Sequence, residues 1–203
     1  MVTFFTPPVN FRPRISSTAF IPGARGEASV ADAVVKREAR NSDAVMHVLP
    51  ASLNLSSAEI QLVGTFGRER ILSEALATVE DFDVCLIDCP PSLGLLTVNA
   101  LVAATDAVIP VQAEFYALAG VAQIVEAIKT VRRLNTTLQI TGAFATGYDQ
   151  RRRIHEESVQ TMASYFGPRL FDTRIRVDTK LSEAPSYGLT IFEHAPQSRG
   201  AED

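Results

Sequence analysis

Asp83-Val84-Cys85-Leu86-Ile87-Asp88-Cys89-Pro90-Pro91 is a short apolar run stopped by an acidic residue and two prolines. An unbroken apolar run of this length is expected of a strand buried on both faces of a parallel sheet, because neither face then needs polar side chains. The prolines end the element. Asp88 has two open readings: a turn residue after a strand, or a carboxylate at the strand's carboxyl end that holds Mg²⁺ directly or through water.

Downstream the pattern repeats. A helix is expected over residues 93–104, then a second apolar strand over 107–111. Leu118, Val121, Ile124, Val125, Ile128, Val131 and Leu134 recur at three- and four-residue spacing, the signature of an amphipathic helix. A strand over 138–145, a helix over 154–166 and a strand over 170–175 complete the alternation. Upstream, the pattern predicts a helix over 30–37, a strand over 45–49 and a helical stretch over 56–79 interrupted at Gly64 or Gly67. Residues 1–27 carry Pro7, Pro8, Pro13, Pro22, Gly23 and Gly26, which limit them to one short strand and loops. The expected organisation is an irregular segment over 1–27 and one α/β domain over 28–203. Strands alternating with helices imply right-handed crossovers, hence a mostly parallel, doubly wound sheet with helices on both faces.

With 203 residues, 46% of them hydrophobic and 21% charged, the chain can bury a real core. A net charge of -4 gives no overall field attracting nucleic acid or an acidic membrane surface, so any DNA contact needs a local basic patch. Cys85 and Cys89 stand without a second pair or nearby histidines, which argues for reduced thiols rather than a disulfide framework or zinc site. His47, His155 and His194 show no metal-ligand or catalytic spacing and receive no role. No apolar run is long enough to cross a bilayer, so the expectation is a cytoplasmic protein without membrane contact.

The stretches beyond Asp88 are more specific. Ser92-Leu93-Gly94-Leu95-Leu96-Thr97-Val98-Asn99-Ala100-Leu101, then Ile109-Pro110-Val111-Gln112-Ala113-Glu114-Phe115-Tyr116-Ala117-Leu118-Ala119-Gly120, then Leu181-Ser182-Glu183-Ala184-Pro185-Ser186-Tyr187-Gly188, and finally Pro196-Gln197-Ser198-Arg199-Gly200-Ala201-Glu202 stand in this order. Together they resemble the ParA/Soj partition ATPases, a branch of the P-loop NTPases, from about Leu49 to the end. The resemblance makes the strand ending at Asp88 a Walker B strand with Asp88 as a Mg²⁺ ligand. It places Ser182, Glu183, Ala184 and Pro185 near the nucleotide base. It implies ATP and Mg²⁺ as cofactors, DNA and a ParB-like centromere-binding protein as partners, and a homodimer associated with the nucleoid. Because the chain ends at Glu202-Asp203 without a basic amphipathic helix, a MinD-like membrane role is not expected.

The family's Gly-rich loop ending in Lys and Ser/Thr, whose backbone N–H groups cradle phosphates, has no counterpart in this sequence. Val9-Asn10-Phe11-Arg12-Pro13-Arg14 and Ile15-Ser16-Ser17-Thr18 instead resemble the strand that comes after that loop. On that alignment Arg12 replaces the second Walker A' aspartate, and a cation cannot coordinate Mg²⁺. The expectation is a chain beginning after the loop and impaired in ATP binding and hydrolysis. The alternatives are a non-catalytic DNA- or partner-binding relative and the inactive product of a disrupted gene.

The resemblance also carries two basic positions onto Arg151, after Tyr148-Asp149-Gln150, and Lys180, before Leu181, as contacts to DNA. Arg152, Arg153, Arg174 and Arg176 add charge nearby, suiting salt-sensitive phosphate contacts. A solvated face, or pairing with Glu156 and Glu157, is the competing reading. Arg176 stands where the family often has proline.

Overall fold

The computed structural model describes residues 2–6, 30, 34–38, 45–51, 55–79, 82–90, 92–114 and 117–203. The readings placed on residues 7–29, Arg12 among them, lie outside the described residues. The chain divides into two units, one of residues 1–107 and 127–139, the other of 108–126 and 140–203.

In the first unit β4 (Cys85–Cys89) pairs with β1 (Val2–Thr6), from Val2 opposite Cys89 to Thr6 opposite Cys85. The pairing is antiparallel, and among the described residues β1 is its sole neighbour, so β4 is an edge strand. This corrects the expectation of an internal parallel strand buried on both faces. Val84 is 51% and Leu86 60% exposed. An apolar run encodes hydrophobicity but not which faces the fold covers.

A second correction lies just upstream. Residues 35–37, expected in a helix, belong to β2 (Val35–Glu38), antiparallel to β3 (Val45–Val48) in a separate two-stranded sheet. Val34 and Val35 are β-branched, and cross-strand pairing outweighs the helical tendency of the neighbouring alanines. The helical stretch breaks as expected: α1 (Leu55–Gln61) runs into a 3₁₀ turn at Leu62–Gly64, and α2 (Ile71–Ala77) starts afresh. Gly67, at φ +70°, makes that break possible, since other residues resist this left-handed conformation.

α3 (Leu95–Ala103) is held to its surroundings by Asn99, which is buried. Its Nδ2 donates to the carbonyls of Arg68 at 2.7 Å and Leu95 at 3.0 Å, and its Oδ1 accepts from the Leu72 N–H at 3.1 Å. Glu59 Oε1 accepts from the Leu96 N–H at 3.2 Å, satisfying one of the open donors at the start of α3.

β5 (Asp106–Gln112), β6 (Gln139–Tyr148) and β7 (Leu170–Arg176) form the parallel part of the fold, in that order. β5 is the buried strand, with Ala107, Val108, Ile109 and Val111 enclosed. β6 and β7 pair in parallel, with Tyr148 opposite Arg176. α4 (Ala117–Val131) buries Val121, Val125, Ile128 and Val131, as the spacing predicts. α5 (Arg153–Phe166) buries His155, Ser158, Val159, Met162 and Phe166 on one face. Three short helices come after β7: α6 (Thr179–Glu183), α7 (Ile191–His194) and α8 (Arg199–Glu202). The chain is therefore α/β with a parallel sheet, as expected.

Candidate functional site

In open parallel sheets, ligands bind beyond the carboxyl ends of the strands. In the second unit a surface cavity of about 240 Å³ opens there, lined by Glu114, Thr146, Asp149, Arg152 and His155 among others. Ala113 N–H donates to the Thr146 carbonyl at 3.0 Å and Val177 N–H to the Tyr148 carbonyl at 2.9 Å. The three strand ends are thereby held side by side.

The turn after β6 is organised by Asp149. Its Oδ1 accepts from the Arg151 backbone N–H at 3.0 Å and from Arg151 Nε at 3.0 Å, while Oδ2 accepts from Arg151 Nη2 at 3.0 Å. Arg151 lowers the Asp149 carboxyl to a pKa of about 2, first through the guanidinium hydrogen bonds and then through the backbone one. The Asp149 N–H donates to His155 Nδ1 at 2.9 Å, so the imidazole of this buried residue carries its proton on Nε2 when neutral. Beside it, Tyr148 Oη and Arg174 Nη1 both donate to Glu156 Oε2, each at 2.8 Å, and the Arg174 guanidinium lies 4.8 Å from the Tyr148 ring centre. Arg153 Nε pairs with Glu157 at 2.8 Å. The competing reading of the basic run therefore describes Arg153 and Arg174, which are paired with the two glutamates.

The segment after β7 begins at Asp178, which caps α6. Its Oδ1 accepts from the Lys180 N–H at 2.9 Å and its Oδ2 from the Gly200 N–H at 2.8 Å, tying the starts of α6 and α8 together. Lys180 Nζ lies 2.7 Å from Glu183 Oε2, and His194 Nε2 lies 3.3 Å from the same oxygen. The His194 ring stacks on Tyr187 at 4.9 Å. Of the four positions linked to a nucleotide base, Ser182 and Pro185 are exposed, Ala184 is buried, and Glu183 is engaged by Lys180 and His194. Gly188, at φ +64°, ends the 3₁₀ turn Ala184–Tyr187 in the left-handed conformation.

Asp88 lies in the first unit and is exposed. Its neighbour Cys89 is buried and free, and burial, helped by the Asp88 charge, pushes its thiol up to about 12. Among the described residues no three His, Cys, Asp or Glu side chains are grouped to hold a metal ion. No helix among them is long and apolar enough to cross a membrane.

Sequence reasoning names Arg151 and Lys180, and names Glu183 only in connection with a nucleotide base, but misses that Asp149 and Glu183 hold the two cations. The available signals are an aspartate two residues before Arg151, the spacing of a side chain that closes a turn on the backbone, and a glutamate three residues after Lys180, a helical spacing. The burial of His155 follows from its helical spacing to Val159 and Met162 on the enclosed face of α5.

A family described as an AAA domain matches residues 14–140. The chain is 46% identical over 158 residues to the chromosome-partitioning ATPase Soj of Treponema pallidum, covering 77% of this chain and 62% of that one. It is 43% identical over 178 residues to the sporulation initiation inhibitor protein Soj of Bacillus subtilis, covering 87% of this chain and 69% of that protein. Among solved structures, a cobyrinic acid a,c-diamide synthase from Mycobacterium smegmatis with bound ATP analog and magnesium superposes at a TM-score of 0.65 and 36% identity, over 77% of this chain and 59% of that one. With the parallel sheet in place and these relatives matched over most of its length, the chain belongs to the ParA/Soj family of partition ATPases.

Proposed function

We propose that this chain serves chromosome or plasmid partitioning by contacting DNA irrespective of sequence through Arg151 and Lys180, and that its 203 residues hold Mg-ATP weakly. One observation carries the DNA reading. Arg151 comes after β6 and Lys180 after β7, two paired parallel strands joined again beyond their ends by Val177 N–H to the Tyr148 carbonyl, so both cations leave the sheet at the same end. With a net charge of -4, such a local patch is where a polyanion can dock. Phosphate contacts carry no sequence information and weaken steeply with salt.

The residues present fit Mg-ATP poorly. Asp88 is a single exposed carboxylate on an edge strand, with no cluster of metal-ligating side chains among the described residues. The 203 residues contain no Gly-rich loop with its lysine to offset the triphosphate charge. Ser182 and Pro185 offer exposed surface to a nucleotide base, while Glu183 and Ala184 shape the turn beneath. A ParB-like partner, a homodimer and nucleoid association come from the family resemblance and belong to the same proposal.

Fluorescence anisotropy with duplex DNA of mixed sequence tests the reading. The expected result is a dissociation constant in the range of about 10⁻⁴ to 10⁻⁶ M that is insensitive to sequence. Binding should disappear in Arg151→Ala/Lys180→Ala. Wild-type binding in that double variant would refute the assignment.

A further inference from the structure

Both cations assigned to DNA are already occupied by a carboxylate from their own chain segment. Arg151 is gripped in a two-pronged pair by Asp149, and Lys180 by Glu183. A carboxylate and a phosphate offer a guanidinium or ammonium the same kind of acceptor oxygens. We propose that Asp149 and Glu183 are built-in competitors of the polyanion: each must release its cation before a DNA phosphate can take it, so together they set the protein's affinity for DNA. This inference rests on the DNA reading above.

Three observations support exchange rather than a fixed structural pair. The first is exposure: the Arg151 side chain is 85% and the Lys180 side chain 49% accessible, so phosphate can reach both. The open single-bonded Lys180–Glu183 pair is of the weak kind, and the stronger two-pronged Arg151–Asp149 pair exchanges one charge-assisted acceptor for another.

The second is that neither carboxylate is stranded when its cation leaves. Asp149 keeps the Arg151 backbone N–H at 3.0 Å, and Glu183 keeps His194 Nε2 at 3.3 Å. His194 is itself steadied by its stack on Tyr187. A released carboxylate with a second partner avoids most of the cost of an unmet charge.

The third is contrast within the same unit. Arg176 engages Asp203 through the same three donors as Arg151 uses on Asp149, but here the arginine side chain is only 34% and the aspartate 10% exposed, and Glu202 holds the same guanidinium. That pair is a clamp and has no comparable route to exchange.

The test uses the 203-residue chain and the same mixed-sequence duplex in a salt titration. Glu183→Gln and Asp149→Asn are each expected to tighten binding about two- to five-fold near 0.1 M salt, the range set by an exposed ion pair. The log-log salt slope should steepen by up to about 0.9 for each freed contact. Adding Lys180→Ala to Glu183→Gln should erase its gain.

Asp172→Asn serves as a control with the same change in net charge at an exposed residue of β7, and should bind like wild type. Two results overturn the competitor role while leaving the DNA reading intact. One is wild-type affinity in Glu183→Gln and Asp149→Asn although Lys180→Ala and Arg151→Ala weaken binding. The other is equal tightening by Asp172→Asn, which would make the effect one of net charge. If Lys180→Ala and Arg151→Ala leave binding unchanged, the DNA reading fails and this inference falls with it.

Discussion

Arg176 and Asp203 are joined through backbone and side chain at once. The Arg176 N–H donates to Asp203 Oδ2 at 2.9 Å, its Nε to Oδ1 at 2.9 Å and its Nη2 to Oδ1 at 2.6 Å. The last strand of the sheet is thereby fastened to the end of α8. Because the guanidinium stabilises the charged carboxylate, the Asp203 pKa is held below its ordinary value, chiefly by these side-chain hydrogen bonds. A depressed carboxyl pKa contributes stability that is present above the unfolded value of about 3.9 and lost as pH falls through the lower folded value. Asp203→Asn should cost about 1–2 kcal/mol at pH 7 in urea unfolding, with the difference from wild type shrinking at acid pH.

Asn99 predicts a larger effect. Its amide bonds two carbonyls and one N–H while only 1% exposed, so Asn99→Ala removes three hydrogen bonds of a buried side chain, of which only the one to the Leu95 carbonyl is backed by a helical backbone bond. The expected loss is about 2–4 kcal/mol, read as a lower urea midpoint at unchanged slope. A loss under about 0.5 kcal/mol would mean that the Asn99 hydrogen bonds are not what holds α3 in place.

Asp149 should report its pairing with Arg151 directly. Carboxyl titration by NMR is expected to show an apparent value of about 2 in the wild type. In Arg151→Ala it should rise toward the ordinary aspartate value of about 3.9. Since the folded pKa is the lower one, the pair favours the folded state above the ordinary value and loses that contribution as pH falls through about 2.

The cysteines give a chemical test of burial. The thiolate is the reactive form, and a thiol raised to about 12 is almost wholly protonated at pH 8. Cys89 should therefore react with a disulfide reagent far more slowly in the native protein than in denaturant. Equal rates would place Cys89 at the surface.

How far the sequence can be read depends on what each signal encodes. The spacing of Val121, Val125, Ile128 and Val131 announces α4, and the apolar stretch at 107–111 announces β5, because both are enclosed on the faces the pattern marks. The run at Val84 to Ile87 announces a strand but not its neighbours; hydrophobicity cannot say that Leu86 lies open on an antiparallel edge. At Val35 the decisive contact is with Val48 on the neighbouring strand, a pairing that hydrophobic spacing along the chain does not encode. For the candidate site, Arg151 and Lys180 come from family resemblance, and the Glu183 contact to Lys180 accords with helical spacing. The Arg176–Asp203 clamp spans 27 residues and exists only in the folded chain.

Weak retention of Mg-ATP and DNA contact through two surface cations are tested together by measuring binding of mixed-sequence duplex DNA at fixed salt, with and without Mg-ATP, alongside phosphate release. The family's loop amides and lysine supply charge-assisted hydrogen bonds to the triphosphate, each typically contributing about 1.5–3 kcal/mol, and weak retention is proposed because the sequence holds no such Gly-rich loop with its lysine. The expected outcome is weak, salt-sensitive DNA binding that is unchanged by Mg-ATP, with phosphate release at background. DNA binding that arises only with micromolar Mg-ATP and is accompanied by DNA-stimulated phosphate release would overturn that reading.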